Sequence, residues 1–282
     1  MSKLRATMID VGWGDSILLE VEDDVGTLQV ALVDSNDKKN FCSSLVFLSK
    51  HFQRCRNRLP STKPMFEFVM LSHAHADHGD GLKAIMQKFG TKELWYPKTD
   101  ETKPSILTDL QSFARRSSNV RHWQALDVSR QPHPLGPANL RVLWPLEDGI
   151  DTDNENNNSI VFTITLDQVT FVLTGDAEKD VWEQIASQVP QETHFFKVPH
   201  HGSVNGTLGS GGATPWLDHC PNSARLGISC HGVRFGHPHD EVVKAFEDNG
   251  WAAESGHFRT DQHYHLTFET DGQNTTVQYS RV

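Results

Sequence analysis

Six residues constrain this chain more than any others. His73-Ala-His75-Ala-Asp77-His78 follows an apolar run at 66–71 and precedes glycines and a helical pattern. Three imidazoles and a carboxylate are costly to bury unpaired, so a fold that carries them at a strand end must build a polar site there. Neutral imidazole suits zinc, iron, nickel and manganese, and a carboxylate adds charge that suits the harder cations of that series. In an extended segment, positions two apart face the same side. His73 and His75 are therefore expected to act together, with Asp77 and His78 where the strand gives way to a loop and a helix start.

The surrounding pattern places that site. Residues 4–10, 16–22 and 28–34 alternate as strands, separated by turn clusters at 12–15 and 22–26. Phe41, Leu45, Leu48, Phe52 and Cys55 recur at helical spacing and predict a helix over 41–57. After the strand at 66–72 comes a helix with Leu82, Ile85, Met86 and Phe89 on one face. A strand at 94–96, a helix over 104–116 with Pro104 in its first turn, and a strand at 120–126 complete the first half.

The second half repeats the scheme. Strands are expected at 140–144, 159–166 and 169–174, a helix at 178–188 and a strand at 195–198. A Gly/Ser-rich loop at 203–213, a strand at 226–230, a helix at 240–248 and strands at 263–268 and 275–279 close the chain. Strands followed by helices, twice over, predict an α+β architecture of two facing sheets with helices outside. Asp34 and Asp176 each end a hairpin in their own half, a weak internal symmetry.

Composition narrows the classes. The 282 residues contain no linker-like tract and are expected to form one domain, 1–282. No apolar run approaches the ~20 residues of a membrane span, and the N-terminus lacks the apolar core of a signal peptide, so a cytoplasmic protein is expected. Cys42, Cys55, Cys220 and Cys230 show no CxxC spacing and read as free buried thiols. A net charge of −10 argues against general polyanion binding, although bound cations reverse the local field at a site. Arg54, Arg56, Arg58 and Lys63 form a basic stretch that reads either as a phosphate contact or as a solvated helix end.

Further ligand types stand at later strand ends: Asp176 in FVLTGDAE, His200 and His201 in KVPHHGS, and His237 and His239 in FGHPHDE. Together with DVGWGDS at 10–16, LVDS at 32–35, NNNSIVFTI at 156–164 and RTDQHYHLTF at 259–268, these motifs resemble a known family. In order, and over nearly the whole chain, they are similar to the metallo-β-lactamase-like hydrolase domain of ComEC-type DNA-internalisation proteins. The resemblance implies the metallo-β-lactamase fold, a four-layer αββα sandwich with a site for two divalent cations, zinc or manganese. It implies His73 and His75 on one cation, Asp77 and His78 on the other, and Asp176 between them. One histidine of the next pair completes the set, assigned to His200, although the sequence leaves the choice between His200 and His201 open.

Asp77, His201 and His237 are then the catalytic candidates, and Asn157, Lys197 and Ser203 are candidates to face substrate. Two departures stand out. Residues 154–158 carry asparagines where many enzymes of this fold have a further histidine, and Trp13 stands where the ComEC relatives usually have glutamine. The membrane channel of ComEC proteins has no counterpart here, so a transport role is not expected to carry over.

The expected activity is a metal-dependent phosphodiesterase or nuclease, in which a water activated by two cations attacks phosphorus. Its substrate is then a nucleic acid or nucleotide. A hydrolase of carboxylic esters, thioesters or lactones is the alternative. A non-catalytic metal-binding regulatory module is disfavoured, because structural zinc usually has a closed shell rich in cysteine and no cysteine lies near these motifs.

Overall fold

The computed structural model describes residues 1–38, 43–99, 105–147, 149–233 and 235–281. Its first strands are β1 (Lys3–Met8), β2 (Ile17–Glu22), β3 (Leu28–Val33), β4 (Phe66–Met70), β5 (Thr91–Pro97) and β6 (Val120–Leu126). They are followed by β7 (Asn139–Trp144), β8 (Val161–Leu166), β9 (Val169–Leu173), β10 (Thr193–Lys197), β11 (Arg225–Ile228) and β12 (His257–Arg259). The last two are β13 (His265–Thr270) and β14 (Thr275–Ser280).

One sheet runs β14-β13-β1-β2-β3-β4-β5-β6 and the other β12-β11-β10-β9-β8-β7. Each contains an antiparallel meander, β1-β2-β3 or β7-β8-β9, that passes into parallel strands, β4 onward or β10 onward. The internal symmetry hinted at by Asp34 and Asp176 is therefore one of strand order.

Period-two patterning decides which side chains meet between the sheets. Leu4, Ala6 and Met8 of β1 point inward against Phe162, Ile164 and Leu166 of β8 and Phe171 and Leu173 of β9. The intervening residues face out. Leu18, Leu32 and Val69 meet the helices on one side, and Val161, Val172 and Phe196 meet those on the other. Strands buried on both faces read as continuous apolar runs, as β9 does.

The helices of the first half are α1 (Ser43–Arg54), α2 (Ala76–Gly79), α3 (Leu82–Phe89) and α4 (Ile106–Arg116). Those of the second are α5 (Lys179–Ile185), α6 (Val204–Thr207), α7 (Asp240–Asp248) and α8 (Thr260–His263). Leu82, Ile85, Met86 and Phe89 of α3 are all buried, as their spacing predicts. The result is the expected αββα sandwich. No described helix is long and apolar enough to cross a membrane.

Several local expectations shift. The short β12 and the single-turn helices α6 and α8 carry no periodic signal and were not anticipated, whereas the helix start expected at Asp77 and His78 is α2. The helix expected over 178–188 tightens after Ile185 into a 3₁₀ turn. Phe41, Cys42 and Pro104 lie outside the described residues. Cys55, Cys220 and Cys230 are buried free thiols. The basic stretch lies away from the strand ends that carry the histidines. Arg58 pairs with Glu22 at 2.9 Å, and Glu22 pairs in register with Leu28 at the opposite end of β3 from Asp34. Lys63 Nζ donates to the Gln87 carbonyl at 2.6 Å.

Two outcomes follow from this packing. Phe195 of one sheet stacks on Phe268 of the other with ring centroids 4.0 Å apart. Phe268→Ala is expected to cost about 3–5 kcal/mol in chemical denaturation, with no change in strand content. His51 on α1 lies 2.8 Å from the buried Glu20 carboxylate. Burial disfavours its charge, but bonding to Cys55 and Glu20 outweighs that and raises its pKa to about 9. Because the folded-state value lies above the unfolded one, the pair stabilises fully below pH ~6.5, and its contribution is lost as pH rises through about 9. Wild-type stability should fall across that window, on the order of 1–3 kcal/mol, and Glu20→Gln should flatten the slope.

Candidate metal centre

The polar residues singled out in the sequence converge at the carboxyl ends of parallel strands from both sheets, where loops rather than ladder bonds occupy the backbone. Asp34 follows β3, His73 follows β4, Asp176 follows β9 and His201 follows β10. The histidine cluster itself is not strand. β4 ends at Met70, residues 71–75 form a loop, His75 precedes α2, and Asp77 and His78 stand within α2. Loop geometry, not pleat alternation, brings His73 Nε2 to 3.0 Å from His75 Nδ1.

One carboxylate oxygen organises the donors. Asp176 Oδ2 lies 3.2 Å from His78 Nε2, 3.3 Å from His201 Nε2 and 3.9 Å from His73 Nε2. The other nitrogen of two of these rings is committed elsewhere. His78 Nδ1 donates to Asp34 Oδ2 at 2.8 Å, and His201 Nδ1 donates to the Ser229 carbonyl at 2.8 Å. A neutral imidazole bonded that way turns a lone pair, not a proton, toward Asp176. Lone pairs facing a carboxylate within hydrogen-bond range repel unless a proton or a cation lies among them. His201 Nε2 and Asp15 Oδ1 are also buried without a hydrogen-bond partner. The donor set therefore fits a divalent cation.

The grouping of donors makes the same point. His73, His78 and Asp176 offer atoms within 4.8 Å of one another, as do Asp77, His78 and His201, and also Asp15, Asp176 and His201. His78, His201 and Asp176 recur among these groups, so the donors form one continuous cluster.

The charges are tightly balanced. Burial disfavours ionised Asp176, yet His201, His78 and Lys197 hold its carboxyl well below the usual range. Burial likewise opposes charge on His78, but Asp176 and Asp34 on its two nitrogens raise it well above an ordinary histidine. His201 is raised against burial by Asp176, while His73 is pushed well down by burial and by the neighbouring His78 charge. Protons and cations compete for these nitrogens, so affinity for a metal here is pH-dependent.

Asp15 and Asp34 were not among the site residues singled out in the sequence, although both stand in motifs quoted for the resemblance, DVGWGDS and LVDS. Asp15 arrives on the loop between β1 and β2. Gly14, at φ 86°, lets that loop close on α2; a Cβ there would lie 2.2 Å from the Asp77 carbonyl oxygen.

Four expectations are corrected in place. His200 and His201 both adopt left-handed backbone, φ 45° and 56°, which turns the adjacent rings apart. His201 faces Asp176, whereas His200 Nδ1 lies 2.9 Å from Glu178 Oε1. Lys197 is fully buried rather than facing substrate, with Nζ 2.6 Å from Asp15 Oδ2, 3.4 Å from Asp176 Oδ1 and 2.7 Å from the Gly175 carbonyl. Ser203 Oγ caps α6 by accepting from Gly206 N, and Asn157 Oδ1 accepts from Glu178 N, so neither side chain is open to substrate.

The asparagine stretch braces the site. Asn154 and Asn156 each donate to Glu178 at 2.9 Å, and Glu155 accepts from the Ala74 amide. His237 sits at the rim, its ring 5.7 Å from His200 and 6.5 Å from His201. Burial and the adjacent histidines lower its pKa to about 4. His239 Nδ1 accepts from Val204 N and is structural.

No family model matches the chain. Over 285 residues, 99% of this chain, it is 23% identical to ComE operon protein 3 of Bacillus subtilis (strain 168). Over 139 residues, 49% of this chain, it is 30% identical to the uncharacterized protein YcaI of Escherichia coli (strain K12). The aligned part is 33% of the first relative and 15% of the second, so the chain spans about a third or less of their lengths. Among solved structures, Zn(2+)-bound PqqB from Methylobacterium extorquens superposes with a TM-score of 0.51 at 12% identity, covering 95% of this chain and 99% of that one. That similarity is one of fold.

The two histidines of the pair should differ in metal binding. His201→Ala is expected to lower zinc affinity at least ~100-fold in isothermal titration, and His200→Ala by less than about 10-fold. Asp34→Asn, which leaves every facing donor in place but weakens the hold on His78, should fall between them.

Proposed function

We propose, from the metallo-β-lactamase fold that this chain has, that residues 1–282 form one metal-dependent hydrolase domain acting on phosphodiester bonds, as a phosphodiesterase or nuclease. The observation that carries metal dependence is the convergence of His73, His78 and His201 Nε2 on one oxygen of Asp176. The phosphodiester preference is supported by the ordered motifs of ComEC type and by similarity to ComE operon protein 3 over 99% of the chain. The substrate is then a nucleic acid or nucleotide.

His73 and His75 would hold one cation, Asp77, His78 and His201 the other, with Asp176 shared and Asp15 behind it. Two divalent ions, zinc as in PqqB or manganese, would supply Lewis acidity at the phosphoryl oxygen and a water made acidic near neutral pH. The chain's own residues do the rest. Asp77, half-buried in the first turn of α2, would accept the proton of the attacking water. His237 would stabilise charge on the phosphoryl group or orient the leaving oxygen from the facing wall, whereas His201, with Nδ1 on the Ser229 carbonyl and Nε2 toward Asp176, would serve as a ligand rather than in the catalytic role expected of it. The buried Lys197 ammonium holds Asp15 and Asp176 in fixed orientation.

Hydrolysis of bis(p-nitrophenyl) phosphate tests the reading. Metal-stripped protein should turn over only when zinc or manganese is restored, and Asp77→Ala and Asp176→Ala should each lose at least ~100-fold while keeping their circular dichroism. Full activity in either variant, or none in metal-loaded wild type, would sink it.

A further inference from the structure

A cavity of about 680 Å³ lies where α4 packs over the edge strand β6, in the sheet whose β4 leads to His73. Lys98, Gln111, Arg115, Trp123 and Arg130 contribute to its wall, and among the described residues that line it none is acidic. That reverses, locally, the net charge of −10 of the whole chain. Lys98 is committed to the buried Asp127 carboxylate at 2.9 Å. Arg115 and Arg130 are both exposed, and neither guanidinium has an ion-pair or hydrogen-bond partner among the described residues.

Trp123 stands between them in the wall. It pairs in register with Leu94 of β5 and so faces the α4 side of the sheet, yet it joins none of the three apolar clusters. The indole is 38% exposed, with no second ring and no cation against it among the described residues. One solvated arginine is ordinary on any surface. Two that share a concave wall with an indole and no described acid attract an anion that also carries a flat face.

The cavity is close to the metal donors. β6 is two strands from β4 in the sheet, roughly 10 Å across. The first residue of α4 abuts α2 beside His78: a Cβ on Gly79 would lie 2.5 Å from Ile106 Cγ1. On the other side, Ile150 in the cavity wall leads to Glu155, which accepts from the Ala74 amide within the histidine loop at 2.9 Å.

A polymer whose cleaved bond sits at the metal centre carries its neighbouring phosphates and bases past this rim. Inorganic phosphate would leave the indole unused, and an apolar ligand would leave both guanidiniums uncompensated. We propose that Arg115, Arg130 and Trp123 form an exosite for a nucleic-acid strand, the two arginines on phosphates away from the cleaved one and the indole on an unpaired base. The proposal rests on the phosphodiesterase reading and extends it to a polymeric substrate.

The test compares a 12-nucleotide single strand with bis(p-nitrophenyl) phosphate, which is too small to reach from the centre to the cavity. Binding of the fluorescein-labelled strand, with phosphorothioate linkages that resist cleavage, is followed by anisotropy on zinc-loaded protein over a range of salt. The double variant Arg115→Gln/Arg130→Gln should bind the strand about 10-fold more weakly, and its slope of log affinity against log salt should be shallower by about 1.4, two phosphates at ~0.7 each. Trp123→Ala should bind about 10-fold more weakly at an unchanged slope. Arg115→Lys/Arg130→Lys should keep the wild-type slope. All of these variants should hydrolyse bis(p-nitrophenyl) phosphate as wild type does.

An unchanged affinity and slope in the glutamine double variant overturns the exosite, as does a matching loss of bis(p-nitrophenyl) phosphate turnover. Displacement of the strand by polyglutamate at equal charge concentration would assign the cavity to an acidic peptide and also overturn it. If wild type hydrolyses bis(p-nitrophenyl) phosphate but binds no strand, the exosite falls and the phosphodiesterase reading stands. If it does neither, both fall.

Discussion

The site depends on one buried carboxylate. Asp176, 3% exposed, cannot carry charge in that position without compensation, since an unpaired buried ion costs several kcal/mol even after relaxation. Compensation comes from every side: His78 and His201 on Oδ2, with His73 farther off, and Lys197 on Oδ1. Those groups arrive from two distant segments, 73–78 beyond β4 of one sheet and 197–201 at the end of β10 of the other. The ends of β4, β9 and β10 must therefore meet at one place, and the facing of the sheets through Leu4, Ala6, Phe162 and Phe171 sets that place.

The repeated strand order gives the site its pairing. Asp34 and Asp176 stand after corresponding strands, β3 and β9, at the point where each antiparallel meander turns parallel. They bind opposite nitrogens of the same histidine, His78, at 2.8 Å and 3.2 Å. A carboxylate on the outer nitrogen fixes the tautomer and raises the basicity of the inner one, which is how outer partners tune metal-binding histidines. Lys197 does comparable work for Asp15 and Asp176, a fixed cation that orients two acids without being open to solvent.

Around this centre, asparagines, glutamates and glycines perform structural roles that free other groups for chemistry. Asn154 and Asn156 hold Glu178, and Glu178 in turn draws His200 away from the donors. The loop carrying Trp13 can lie against α2 only because Gly14 has no side chain. The same loop brings Asp15 inward and leaves the indole at the mouth, so the acid of the centre and the surface beside it are set by one turn.

Much of this was legible before any coordinates. Period-two and period-3.6 patterns located the longer strands and helices, because those patterns are what two-sided burial requires, and HAHADH with GD and HHG marked the strand ends. Elements of three or four residues, such as β12 and α6, were not legible, because about one period or less carries no periodic signal. Roles within pairs were not legible either. His200 and His201 are identical in type and adjacent, and only left-handed backbone at both positions turns one inward and the other toward Glu178. Lys197 read as a candidate to face substrate, since lysine is seldom buried; its burial rests on Asp15, far away in the chain, meeting it at 2.6 Å. Which residue types stand at strand ends, and that strands and helices repeat twice, can be read along the chain alone, because both are local properties. Which donors face one another was decided only by the tertiary structure, because the charge balance that selects them exists only when both sheets are in contact.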